Sequence, residues 1–183
     1  MLKKFVKNPT LRILLEWALV IAIALFVFLI IENFVFKSTR VFGTSMEASF
    51  FEGDRVIINR LTFRFREPVF GDVVAFSYPA DPSQNYIKRV VGVPGDTIDI
   101  RRGLIFINEE LLNDSRFERI DNVFAGNVNF PQTLDDGYFF VLGDNLSVSE
   151  DSRFMSVGNI HRDSIIGHVN FIWFPFSRFG RAN

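Results

Sequence analysis

The chain contains no cysteine. Disulfides, thiolate catalysis and cysteine zinc sites are therefore excluded, although the absence does not fix a compartment. Histidine is nearly as scarce, with His161 and His168 the only two. A histidine-rich metal site is excluded, and any serine chemistry has few imidazole bases to draw on. A strong excess of charge is also missing. The formal net charge is −1 over 183 residues, so no electrostatic pull on nucleic acid is expected.

Apolar residues are abundant, at 48% of the chain, enough for one domain with a sizeable core and an anchor besides. Trp17 to Ile31 is an unbroken apolar run of 15 residues, short of the roughly 20 needed to cross a bilayer. Extended from Ile13 to Phe36 it becomes 24 residues, about 36 Å at the helical rise. Glu16, Glu32 and Asn33 then lie near the two interfaces, where a polar head reaches water. A cleavable leader is the rival reading, but "ENFVFKSTRVFG" after Ile31 offers no small-x-small cleavage pattern. Lys3, Lys4, Lys7 and Arg12 precede the run, whereas only Lys37 and Arg40 closely follow it. The expectation is a cytoplasmic basic segment over 1–12, a signal-anchor helix over 13–36, and residues 37–183 outside the membrane.

Beyond the anchor, helical periodicity gives way to short β-branched and aromatic runs between turn signals. "RVIINR", "DVVAFSY", "YIKRVVGV", "DTIDI", "LIFINEELL", "YFFVLGD" and "HVNFIWF" read as strands. "DIRRGLIF" reads as a hairpin turning at Arg102 and Gly103. The fold class expected is all-β, as several small antiparallel sheets or a partly open barrel. Residues 109–137 are polar and turn-rich, and read as an insertion or loose hairpin. Of 23 phenylalanines, 18 lie beyond the anchor. Core packing accounts for most of them. A subset such as Phe50, Phe51, Phe174 and Phe176 would instead form an apolar surface lying on the bilayer.

Ser45, in "VFGTSMEASF", places a small hydroxyl shortly after the apolar run. Three chemistries would activate it. The nucleophile elbow G-x-S-x-G fails, because Glu47 stands where its second glycine belongs. A Ser-His-Asp set would need His161 or His168, and nothing in their spacing singles them out. A Ser-Lys pair needs a lysine whose charged form is disfavoured by burial. Lys88 in "NYIKRVVGVPGD" interrupts an apolar strand, and Arg89 points the other way. One of the two must face a covered side. Arginine stays protonated and cannot be a base, while a lysine in a strand is by itself usually exposed.

These stretches together resemble the bacterial type I signal peptidases, membrane-anchored serine proteases that remove signal peptides. "SMEASF" resembles the family's Ser-Met-x-Pro-Thr-Leu motif. "GDVVAF" and "YIKRVVGVPGD" resemble the next two, and "LGDNLSVSEDSR" the last. Order and anchor match, so the resemblance covers nearly the whole chain, and its most specific part is the lysine motif. It implies Ser45 as nucleophile and Lys88 as general base. Ser149 would hydrogen-bond the lysine. Asp151 and Arg153 would form a supporting polar pair, and Asp144 opens the same motif with Asn145. Met46, Tyr86 and Ile87 match positions near the pocket for the substrate's small residue. There are departures. Ala48, Ser49 and Phe50 replace Pro-Thr-Leu, Leu146 replaces a common arginine, and Gly43 stands where some relatives carry an oxyanion-binding serine.

The resemblance implies signal-peptide-bearing preproteins as substrates, cut after a small-x-small site, and a lipid bilayer as the other partner. No metal and no cofactor is called for. The sequence leaves oligomeric state open. Rivals are a self-cleaving Ser-Lys repressor, against which the anchor argues, and a non-catalytic membrane-tethered β module that binds exported chains.

Overall fold

The N-terminal apolar run and the β-rich remainder form two separate units in the computed structural model. Contacts divide the chain into Met1–Phe36 and Lys37–Asn183. The structure describes residues 9–30, 35–117, 120 and 126–182. Lys3, Lys4, Lys7, Glu32, Asn33 and part of the 109–137 stretch lie outside the described residues.

Helix α1 runs Pro9–Ile30. Proline suits a helix start, where its missing N–H costs nothing. The helix is apolar on every side, and Trp17 and Phe26 are both exposed. Such a surface fits a membrane span rather than a water-facing helix. Pro9–Leu29 is long and apolar enough to cross a membrane. Its one internal ion pair joins Arg12 to Glu16 at 3.0 Å, one turn apart. Phe36, placed in the helix by the hydropathy reading, instead begins the first strand.

The strands of the larger sheet are β1 (Phe36–Arg40), β2 (Arg55–Asn59), β3 (Val73–Ser77) and β4 (Asn85–Gly92). The smaller sheet takes β5 (Thr97–Arg101), β6 (Leu104–Ile107), β7 (Glu110–Leu111) and β8 (Gln132–Thr133). Then come β9 (Tyr138–Leu142), β10 (Ile160–His161), β11 (Ile165–Phe174) and β12 (Gly180–Arg181), which return to the larger sheet. Its order is β1-β2-β11-β3-β4-β9-β10, with β12 also on β11; the smaller is β7-β6-β5-β8. Every pairing with a described register is antiparallel. The sheets are not closed into a barrel, in keeping with the all-β, partly open reading.

"LIFINEELL" is not one strand. Asn108 and Glu109 both take positive φ, 51° and 70°, and fold it into the β6–β7 hairpin. The 109–137 stretch is more than a loose excursion where it is described. Phe117, Ile120 and Leu134 pack into a core with Ile98, Ile105, Phe140 and Leu142, and β8 pairs with β5.

Strand β3 shows why the larger sheet reads as a continuous apolar run. Val73 and Ala75 enter one core cluster with Met46, Phe50 and Ile58. Val74 and Phe76 enter another on the opposite face with Val90 and Phe139. Side chains alternate along a strand, so a sheet covered on both faces needs apolar residues at successive positions.

Candidate active site

That double coverage decides the fate of Lys88 and Arg89. Lys88 follows Tyr86 on one side of β4, Arg89 follows Ile87 on the other, and both are buried, at 3% and 5% exposure. Arg89 makes four hydrogen bonds. Its Nε and one terminal nitrogen donate to the two oxygens of Asp144 at 2.8 and 2.7 Å. It also donates to Ser49 Oγ and to the Gly71 carbonyl, each at 2.8 Å. A bidentate buried pair of this kind orients both partners.

Ser45 sits in the 41–54 loop between β1 and β2. Met46 and Phe50, in the core directly after it, pin the loop. Turn hydrogen bonds run from Glu47 N to Thr44 O and from Phe50 N to Met46 O. The Asn145 N–H donates to the Ser45 carbonyl at 3.0 Å, tying the loop to the segment after β9. The contact is close: a Cβ on Gly143 would stand 2.4 Å from the Ser45 carbonyl oxygen and 2.3 Å from Ser149 Oγ. Only glycine fits there.

These restraints bring Ser45 and Lys88 together. Lys88 Nζ donates to Ser45 Oγ at 2.7 Å. Burial lowers the Lys88 pKa to about 8; Asp151, Glu150 and Asp144 work against that fall, and Arg153 adds to it. Opposite charges are thus present where the sequence reading relied on burial alone, and burial still prevails. A lysine at that value is about one-tenth neutral at pH 7 and about half neutral near pH 8, and neutral amine beside a hydroxyl can take its proton.

Ser149 departs from what the resemblance implies. It is buried beside Gly143, but its hydroxyl makes no hydrogen bond among the described residues, to Lys88 or to anything else. Asp151 and Arg153 do form a pair, with Nε to Oδ1 at 2.7 Å and a terminal nitrogen to Oδ2 at 2.9 Å. Arg153 is 0% exposed and also donates to the carbonyls of Leu146 and Ser149. Asp151 Oδ2 accepts from Gly143 N. This pair braces the turn around Gly143 and, through it, Ser45. Asp144 braces β4 through Arg89.

A cleft of about 730 Å³ opens over the pair, lined among others by Val41, Gly43, Ser45, Met46, Tyr86, Ile87, Lys88 and Glu150. Met46, Tyr86 and Ile87 are thus part of the wall of this cleft. His161 and His168 do not line it; His168 Nε2 faces Asp72 Oδ1 at 3.5 Å, and its burial lowers its pKa. Among the described residues, no cluster of three or more His, Asp or Glu could hold a metal ion.

A family model for signal peptidase, peptidase S26, matches residues 14–174. The chain belongs to this family. Signal peptidase IB of Staphylococcus aureus is 33% identical over 181 residues, covering 91% of this chain and 92% of the relative. Signal peptidase I P of Bacillus subtilis subsp. natto is 32% identical over 179 residues, covering 92% and 93%. A crystal structure of a signal peptidase I from Enterococcus faecalis V583 overlaps 56% of this chain and 97% of that one, at 28% identity and a TM-score of 0.44. The non-catalytic module is not favoured, since these relatives are named as peptidases.

For a signal peptidase, one cleft residue and one supporting contact behind it escaped the sequence. Glu150 lines the cleft beside Lys88, and only the fold reveals that it meets Tyr78 and Tyr86. Ser49, read as a departure, bonds Arg89. The expected apolar surface is also revised. Phe50 is in the core, whereas Phe51, Phe174 and Phe176 are exposed, together with Phe42 and Phe179.

Proposed function

We propose that this signal peptidase cleaves preproteins with Ser45 as nucleophile and neutral Lys88 as general base. The 2.7 Å contact between Lys88 Nζ and Ser45 Oγ carries the reading, supported by the lowered lysine pKa. In the active protonation state the hydroxyl donates to the amine. Lys88 takes the proton as Oγ attacks the scissile carbonyl. The Ser45 backbone N–H, which makes no hydrogen bond among the described residues, faces the developing oxyanion; Gly43 leaves that role to the backbone. Lys88 then protonates the leaving amine as the C–N bond breaks. With lysine neutral again, it deprotonates a water, which hydrolyses the acyl-enzyme and frees Ser45.

The substrate segment lies extended in the cleft, where backbone hydrogen bonds fix its register. Met46, Tyr86 and Ile87 confine the side chain before the cut to a small residue. Helix α1 anchors the enzyme in one pass. Its basic flank favours a cytoplasmic N-terminus with the peptidase unit outside, and exposed Phe51, Phe174 and Phe176 suit contact with the lipid surface. The test incubates full-length protein in detergent with a signal-bearing precursor and sequences the new N-terminus. Parent enzyme releases a product cut after a small-x-small site, and Ser45→Ala releases none. Undiminished cleavage by Ser45→Ala would remove Ser45 from the mechanism.

A further inference from the structure

The cleft contains one carboxylate that the proposed nucleophile and base do not use. Glu150 Oε1 accepts from the Tyr78 hydroxyl at 3.2 Å and the Ser156 hydroxyl at 2.5 Å. Its Oε2 accepts from the Tyr86 hydroxyl at 3.3 Å. The two tyrosine rings stack at 4.3 Å and 6°, and Lys88 Nζ lies 5.6 Å from the centre of the Tyr86 ring. A single side chain thus ties the β3–β4 hairpin, which presents Lys88, to the segment after β9, which contains Ser149 and Asp151. Tyr86 stays a donor throughout the working range, since burial and Glu150 push its pKa up to about 12.

We propose that Glu150 is a positioning residue: it clamps the Tyr78–Tyr86 pair against Lys88, holds a negative charge with no cationic partner of its own at that end of the cleft, and thereby raises the pH at which the nucleophile–base pair becomes active. The proposal rests on Lys88 being the base. Ser45 from the 41–54 loop bonds its nitrogen, and Tyr86 lies beside it on the same strand. Asp144, Glu150, Asp151 and Arg153 face it from the segment after β9. Arg89 points to the other side of β4 and is bound by Asp144. Asp144 and Asp151 are each neutralised by a buried arginine, Arg89 and Arg153. Glu150 has only hydroxyl partners among the described residues. Its charge therefore joins that of Asp151 in favouring the charged lysine, against burial and Arg153. A cation–π contact favours the charged lysine in the same direction, so Glu150 and the ring it holds both oppose burial.

The experiment measures kcat/KM from pH 6 to 10 for full-length parent, Glu150→Gln, Glu150→Ala and Lys88→Arg in detergent with one precursor. Thermal unfolding is recorded for each. Removing the charge favours neutral lysine, so the acid limb of Glu150→Gln moves down by roughly half a pH unit. Glu150→Ala moves it the same way and lowers the plateau further, because the tyrosine clamp is gone. A limb that coincides with the parent's, in whichever of the two variants is folded, overturns the proposal. Lys88→Arg separates this failure from the larger one. If it is inactive while the Glu150 variants keep the parental limb, only the role of Glu150 falls. If it remains active, the base assignment falls as well.

Discussion

Lys88 is held in a compromise between reactivity and stability. Its pKa of about 8 lies below the ordinary 10.5. The folded state therefore binds fewer protons than the unfolded chain between those values, and stability rises with pH across that window. The cost of burying the ammonium is fully present below about pH 8 and is relieved as the pH climbs toward 10.5. Ser149 shows a similar tension. A buried hydroxyl without a partner costs about 1–3 kcal/mol, yet it stands against Gly143 at the back of Ser45. Ser149→Ala should leave the unfolding temperature unchanged or raise it, while kcat/KM falls, though less than in Ser45→Ala. Thermal unfolding beside a cleavage assay checks both halves. Parental turnover would leave Ser149 without a role in placing the pair. The sequence alone pointed to Ser45 and Lys88 because a family pattern surrounds them. It could not reveal Glu150, because a glutamate between Ser149 and Asp151 looks like any solvated acid until β4 is folded against it.

At the scale of elements, strands were legible wherever apolar residues ran between glycine and proline. "DVVAFSY" and "YFFVLGD" are examples, as is the turn at Arg102 and Gly103, both with positive φ. The β6–β7 hairpin was not legible, because its turn uses Asn108 and Glu109, and glutamate is a poor advertisement for positive φ. The burial of both Lys88 and Arg89 was half legible: alternation required one covered side, and only the sheet order reveals that both faces are covered. The loop after Ser45 carries its own strain. Ala48 takes φ 90°, where a side chain costs about 1–2 kcal/mol relative to glycine. Ala48→Gly should therefore stabilise the enzyme by about 1 kcal/mol. Ala48→Pro, which restores the residue usual in the family motif, should destabilise it, since proline is fixed near φ −65°. Chemical denaturation of the two variants checks the pair. A stabilising proline would mean that the loop takes a different backbone path.

For the molecule as a whole, the sequence already separated an apolar helix from a β-rich unit, because hydropathy and periodicity change together near residue 36. How that unit folds into two open sheets was beyond it, since strand order depends on long-range pairing such as β11 with β2 and β3. The proposed orientation predicts that protease added to intact cells or spheroplasts reaches residues 37–183. Complete protection would reverse the topology. The central claim is that neutral Lys88 takes the proton of Ser45, and the pH dependence of kcat/KM for the full-length enzyme on a single precursor tests it most directly. With the lysine pKa at about 8, the rate should rise roughly tenfold between pH 7 and 9, along a limb with its midpoint near 8, and Lys88→Arg should show no activity at any point. A limb centred near 6.5, the ordinary histidine value, or an active Lys88→Arg enzyme would contradict it.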